Sequence, residues 1–321
     1  MKQKIQFTLL SLAILSLFHF NTGMVQASTP LESSHHHPNK TNIVFTGLEN
    51  YFLTGLTVQT LQRQIEILKF EVQLLQSLLL NMQARQEVGA SSYIAVRLSD
   101  NSVLAQKKPN QPLPVASVTK LMTALISQEN GLYEQKITLT AQMLKPLGWS
   151  PSLYPGLKVS AENLLKASLI QSSNDAAEAL TYLLGKQEFV EKMNQKAKDL
   201  GMANTVFYDS SGLSADNVST SADLAKLVTY IYKSYPEILE ITKNNDFWLP
   251  DRNGNQLKFQ NVNNFYPLSA FVGGKTGYLL KAKQTFAGVF LVKEEPFAIV
   301  LLQSDNRQAD VFALMRKLRN L

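Results

Sequence analysis

The chain has 321 residues, 45% of them apolar and 17% charged, with a formal net charge of +6 and no cysteine. Its length allows one large domain with an appendage, and the apolar share is ample for a buried core. The missing cysteine excludes disulfides and thiolate metal sites, and the mild positive charge lacks the basic, aromatic-interleaved clusters that mark nucleic-acid binding.

In chain order, Lys2 and Lys4 precede an apolar run from Ile5 to Phe20, and Val25-Gln26-Ala27 offers a small residue before a polar stretch. That pattern predicts a secretory signal over residues 1–27, so the protein is expected outside the cytoplasmic membrane. The apolar run is short for a membrane span, and retention as an uncleaved anchor stays open. Residues 28–55 read as a linker; it holds His35, His36 and His37, which make a poor fixed site, and no metal is expected there.

Residues 56–88 read as a helical, coiled-coil-like segment. Val58, Ile65, Val72 and Leu79 fall at a positions and Leu61, Leu68, Leu75 and Met82 at d positions of a heptad seam. Branched a residues with leucine at d favour a parallel pair, which makes a homodimer through helix 58–82 one expectation. Ile67, Phe70, Leu74, Leu78 and Leu80 widen the apolar surface, so packing of this helix on the following domain is the alternative.

From residue 90 to the C-terminus the pattern is that of one catalytic domain. Strand-like Tyr93 to Leu98 and Val103 to Ala105 flank a polar turn at Ser99 to Ser102, which predicts a hairpin. Helical periodicity follows from Pro114 through Gly131, then over Ala161 to Leu169, Asp175 to Leu184, Glu188 to Leu200 and Ala222 to Tyr232. Strands return from Val272, with Thr285 to Val292 and Pro296 to Gln303 rich in β-forming residues, and Ala309 to Leu318 closes as a helix. The fold class expected is α/β of the α+β kind, an antiparallel sheet flanked by helices with a separate helical lobe.

The chemistry concentrates in Ser117-Val118-Thr119-Lys120. A serine hydroxyl needs a base within hydrogen-bond reach, and the only histidines of the chain are His19 and His35 to His37, all near the N-terminus. Three residues of helical spacing bring Ser117 and Lys120 onto one face. Lys120 can accept a proton only if its pKa is lowered, by burial and by a nearby second cation, and Lys275 is the candidate cation. Two further motifs complete an ordered triple. Of three S-x-N matches only Ser172-Ser173-Asn174 lies between the S-x-x-K and Lys275-Thr276-Gly277.

With Ala116 to Leu125, Gln171 to Ala177 and Asp209 to Leu213, this triple resembles the low-molecular-mass penicillin-binding proteins, serine-type D-Ala-D-Ala carboxypeptidases and endopeptidases. The resemblance covers roughly Ser91 to the C-terminus. It implies a penicillin-binding protein/β-lactamase-like transpeptidase fold, no cofactor, a peptidoglycan stem peptide ending in D-Ala-D-Ala as substrate, β-lactams as covalent inhibitors, and a periplasmic or wall-associated location.

It further implies roles. Ser117 attacks the carbonyl between two D-alanines and Lys120 takes its proton; Ser172 passes a proton to the departing amine; Asn174 holds Lys120 and the substrate amide. Lys275 stabilises developing negative charge, Thr276 binds the terminal carboxylate, and Gly277 leaves room for the substrate backbone. The amides of Ser117 and Tyr278 form the oxyanion hole. Arg307 either helps bind the carboxylate or is a surface arginine leading into a helix.

A class A β-lactamase would need a glutamate to activate the deacylating water. Glu188 and Glu191 read as the solvated face of an amphipathic helix, so a slowly hydrolysed penicilloyl-enzyme is expected. The stretch Tyr278 to Thr285 lacks the family's usual threonine directly after Tyr278 and looks longer before the next strand. Carboxypeptidase, cross-link endopeptidase of the D-Ala-meso-diaminopimelate type, and a catalytically silent wall-binding module all stay open.

Overall fold

In the computed structural model, residues 62–74, 87–145, 153–251 and 253–321 are described. The expected signal segment, the linker with its three histidines, and most of the heptad seam lie outside them. Within the seam, residues 62–74 are helical, with Ile65 and Val72 exposed. Leu68–Leu321 form one compact unit, in which the Phe70 ring lies 5.6 Å from that of Tyr266.

Five antiparallel strands make the main sheet: β1 (Ser92–Arg97), β2 (Val103–Lys107), β9 (Phe271–Leu279), β10 (Lys283–Val292) and β11 (Glu295–Ser304). Their order is β2-β1-β11-β10-β9, so strands from the two ends of the domain share one sheet, as the pattern predicted. β1 pairs with β11 through Ser92↔Leu302 to Arg97↔Phe297, and β10 pairs with β9 through Thr285↔Gly277 and Ala287↔Lys275. β9 is therefore an edge strand, and the Lys-Thr-Gly motif sits on it.

The period-2 alternation of a strand sends successive side chains to opposite faces. Ala298, Val300 and Leu302 of β11, with Ala287 and Val289 of β10, face the helical lobe. That lobe contains α1 (Lys120–Glu129), α2 (Ala161–Ile170), α3 (Asn174–Thr181), α4 (Lys186–Asp199), α5 (Ser221–Ser234) and α6 (Pro236–Ile241). α1 is its central post, buried without interruption from Lys120 to Ser127. On the other face Phe286, Phe290, Phe297, Ile299 and Leu301 meet Val311, Leu314 and Leu318 of α7 (Arg307–Arg319).

Capping chemistry sets several helix starts. Ser160, Ser173, Thr220 and Asn306 each accept a hydrogen bond from the backbone N–H three residues on, which satisfies a donor that has no partner within the helix. Smaller elements went unread in the sequence. β3 (Leu113–Pro114) pairs with β6 (Val218–Ser219), and β4 (Lys136–Thr138) with β5 (Lys158–Ser160). β7 (Asp246–Pro250) and β8 (Gln256–Gln260) form a hairpin closed by Phe247 stacked on Phe259 at 4.6 Å. The short helix α6 begins on Pro236, a residue suited to a first turn.

Behind the sheet, Phe265 meets Phe286 edge-on at 5.0 Å and Phe290 at 5.4 Å. Aromatic pairs in this geometry add to the area they bury. Phe286 is fully buried, so Phe286→Ala is expected to lower unfolding stability by about 3–5 kcal/mol, read as a fall in the denaturant midpoint with an unchanged slope. A loss under about 1 kcal/mol would show that the cluster closes over the gap.

Candidate active site

Ser117 lies in a one-turn 3-10 segment, Ala116–Thr119, and α1 begins on Lys120. The α-helix thus starts later than the periodicity from Pro114 predicts, and no side chain caps the 3-10 turn. The tight turn keeps the three-residue spacing effective: Lys120 Nζ stands 3.0 Å from Ser117 Oγ. Ala116, the residue before the nucleophile, is held at φ +51°, a conformation that L residues adopt at a cost.

Lys120 Nζ is also 2.7 Å from Asn174 Oδ1 and 2.6 Å from the Ser211 carbonyl oxygen. These three oxygens suit a neutral amine. Its two N–H groups donate to Asn174 and Ser211, and its lone pair accepts the Ser117 hydroxyl proton. Burial lowers the Lys120 pKa from 10.5 to about 7, with Asp209 opposing the shift. A base with that pKa is half deprotonated near neutral pH, where general-base catalysis is most effective.

The second motif is at once a helix cap and a part of the site. Ser173 accepts from Ala176 N at 3.1 Å and caps α3, which leaves Ser172 in the turn before it, at φ +61°, and Asn174 as the first helical residue. The two flanking side chains diverge to separate lysines. Asn174 reaches Lys120, while Ser172 Oγ accepts from Lys275 Nζ at 2.9 Å. Lys275 Nζ also donates to the Thr276 carbonyl at 2.9 Å. The three motifs, far apart in sequence, thus meet in one connected set of contacts.

Lys275 is fully buried, and its pKa falls well below the ordinary value through burial, then through repulsion from Lys120 and Arg307. Of the two expected causes, burial is the one that depresses Lys120. Thr276 is buried, and the Tyr278 ring is exposed beside it. Arg307 is half-buried rather than freely solvated, and its guanidinium donates to the Gly277 carbonyl at 2.8 Å. Lys281 and Lys283 are exposed, and Lys283 pairs with Asp305 at 2.8 Å.

Gly277 has a packing reason beyond the one expected. A Cβ there would stand 2.4 Å from Thr285 Oγ1, 2.9 Å from Ser117 N and 3.0 Å from Ala116 Cβ. On the opposite side Gly212, at φ +81°, would put a Cβ 1.9 Å from the Ala116 carbonyl oxygen. The strained nucleophile turn is therefore gripped between two glycines, and Thr285 Oγ1 adds a bond to the Val115 carbonyl at 3.0 Å. Sequence reasoning assigned no role to Ser211 or Gly212, although both lie in the quoted Asp209 to Leu213 segment.

Three glutamates that follow the second motif are engaged elsewhere. Glu178 pairs with Lys186 at 2.5 Å, Glu188 with Lys192 at 3.5 Å, and Glu191 accepts from Gln187 at 2.8 Å.

Gly212→Ala is expected to push back the turn that carries Ser117 while leaving the distant aromatic core intact. The variant should stay folded and lose at least about tenfold in the rate at which Ser117 is acylated, because misplacing the attacking atom by about 1 Å costs on that scale or more. An unchanged rate would show that the grip is dispensable.

Comparison with known proteins agrees with this geometry. The D-alanyl-D-alanine carboxypeptidase family model matches residues 80–306. A Haemophilus influenzae protein named D-alanyl-D-alanine endopeptidase is 41% identical over 145 residues, which cover 44% of this chain and 50% of the relative. The chain thus spans about half the length of that relative. An Escherichia coli protein of the same name is 29% identical over 239 residues, covering 69% of this chain and 73% of the relative. Among solved structures, a D-alanyl-D-alanine carboxypeptidase from Mycobacterium tuberculosis superposes with a TM-score of 0.69 at 26% identity, over 73% of this chain and 92% of that one. With the match covering well over half of its residues, the chain belongs to the D-alanyl-D-alanine carboxypeptidase family.

Proposed function

We propose that the chain is a serine-type D-Ala-D-Ala peptidase of the cell wall, acting as a carboxypeptidase on stem peptides through an acyl-enzyme on Ser117. One observation carries this reading: a buried lysine amine whose three oxygen neighbours include the Ser117 hydroxyl. The neutral amine of Lys120 takes the hydroxyl proton as Oγ bonds to the carbonyl carbon. The C–N bond then breaks, the departing amine receives a proton through Ser172, and D-alanine leaves. Water attacks the ester with Lys120 again as base, and the shortened peptide is released.

The edge position of β9 supports the substrate class, because an open edge offers unpaired backbone groups to an extended peptide. Thr276, with Arg307 behind the Gly277 carbonyl, fits the terminal carboxylate. The amides of Ser117 and Tyr278 fit the oxyanion. The engagement of Glu178, Glu188 and Glu191 in other pairs supports a long-lived adduct with penicillins. The N-terminal charge and hydropathy pattern supports secretion to the periplasm or wall; no helix among the described residues is long and apolar enough to cross a membrane.

A second reading, cleavage of D-Ala cross-links, is favoured by the two relatives named endopeptidases. Acylation is the same in both readings, and only the leaving group differs. Fluorescent penicillin is expected to label the wild type covalently and to leave Ser117→Ala unlabelled. Folded wild type that never labels would leave the silent wall-binding module as the reading. Mass analysis of digests of cross-linked and uncross-linked wall fragments separates the two activities: loss of terminal D-Ala marks the first, and conversion of dimers to monomers the second.

The heptad seam supports self-association, since two of its a positions, Ile65 and Val72, are exposed. Sedimentation at micromolar concentration is expected to give a dimer for the full chain and a monomer for the I65D/V72D pair. A monomeric wild type would remove the dimer.

A further inference from the structure

The Lys120 amine has one partner that no motif supplies, the carbonyl of Ser211. A carbonyl has no identity of its own, so whatever fixes its direction does the work of a side chain. Here that is Asp209. Its Oδ1 accepts from Ser211 N at 2.7 Å, Gly212 N at 2.5 Å and Ser211 Oγ at 3.0 Å, and its Oδ2 accepts from Ser214 N at 2.7 Å. The chain from 209 to 214 is wound around one carboxylate.

The wound segment touches each part of the site. Ser211 O meets Lys120, Ser210 O accepts from Thr123 Oγ1 at 2.6 Å on the next turn of α1, and Gly212 packs on Ala116. Ser210 Oγ donates to the Ala177 carbonyl of α3 at 2.9 Å, which ties in the helix that bears Asn174. Asn217 clamps the base of the loop: its Oδ1 accepts from Tyr208 N at 2.8 Å, and its Nδ2 donates to the Asp209 carbonyl at 3.0 Å and to Thr119 Oγ1 at 3.1 Å.

We propose that Asp209 is the positioning residue of the general base, holding the Ser211 carbonyl on Lys120 and setting by its negative charge the pH at which Lys120 becomes able to accept the Ser117 proton. This rests on the acyl-transfer reading of the site. The carboxylate acts on Lys120 among several other charged groups. Lys275 of β9 and Arg307 of α7 face the site from the sheet. Glu178 and Tyr182, with Lys186 of α4 and Lys145, line the cavity that Asp209 and Ser211 border. Glu178 is paired with Lys186, and Asp216 lies in the loop beside Ser214. The lowering of the Lys120 pKa by burial is opposed by Asp209, so loss of this charge lets the lysine deprotonate at lower pH.

The test is the second-order rate of acylation of the full chain by a fluorescent penicillin between about pH 5 and pH 9, the span around the neutral-range base. The wild type is expected to lose rate as pH falls through about 7, where Lys120 takes up its proton. Asp209→Asn keeps the shape and removes the charge. Its acid limb should move down by at least about half a pH unit, and its plateau should fall several-fold because a weaker base remains. Asp209→Glu, which keeps the charge, should lower the plateau with the limb in place.

A purely structural role would lower the plateau of D209N and leave its midpoint unmoved, and that result overturns the proposal. The midpoint does not depend on how much of the protein is folded, so a poorly folding variant still reports it. If D209N labels too slowly to measure, NMR titration of the Lys120 ε-carbon reads the same shift, and an unshifted lysine overturns the proposal equally. Wild type that never labels would instead overturn the acyl-transfer reading itself, while the lysine titration would still judge Asp209.

Discussion

The site depends on an amine kept out of water. Lys120 is fully buried at the start of a helix, and its nitrogen is ringed by three oxygens from three segments: the nucleophile turn, the first residue of α3 and the loop after α4. Burial alone would make a lysine merely neutral, and oxygens alone would keep it charged. Their combination gives a group that can hold or release a proton near pH 7 beside the Ser117 hydroxyl. The sheet, the helical lobe and the two glycines serve to hold those oxygens still.

A second buried lysine lies on the sheet side of the cleft, and the two divide the work. Each adjoins a serine hydroxyl, Ser117 for Lys120 and Ser172 for Lys275, and Lys275 is further opposed by Arg307. Repulsion from Lys120 and Arg307 adds to burial in disfavouring the charged form of Lys275. The Ser172-Ser173-Asn174 turn ties the two lysines together, because one residue reaches each lysine and the middle residue caps α3.

Side chains that act as themselves were legible in the sequence. Ser117 with Lys120 could be read from local spacing, and Ser172, Asn174 and Lys275 from order along the chain, because each contributes a distinctive atom. Strand alternation in β10 and β11 and the periodicity of the lobe helices were readable for the same reason. The Ser211 carbonyl was not, since every residue has one and only the fold aims it. Gly212 was hidden in another way, as was the packing task of Gly277: a Cβ at either would collide with Ala116 or Ser117, and closeness is a tertiary fact. Arg307 looked like a surface residue because a helix start is usually exposed. The β7–β8 hairpin carried its sign in Asn253-Gly254, with Gly254 at φ +82°, but its short strands lack clear alternation.

Function also leaves a mark on stability. Unfolded, Lys120 regains an ordinary lysine pKa of 10.5; folded, it sits at about 7. Between those values the unfolded chain binds the extra proton, so for this group folding becomes more favourable as pH rises through the window and less favourable as pH falls toward 7. Lys275, also depressed, acts in the same direction. The active site therefore opposes folding under the neutral conditions in which it works, and the opposition must be offset elsewhere. The offset lies in packing that catalysis does not use: the aromatic cluster behind the sheet and the apolar length of α1 beyond Lys120, where Leu121, Met122, Ala124 and Leu125 are fully buried. The aromatic part of that offset lies on the face of the sheet away from the helical lobe, joined to the site through β9 and β10.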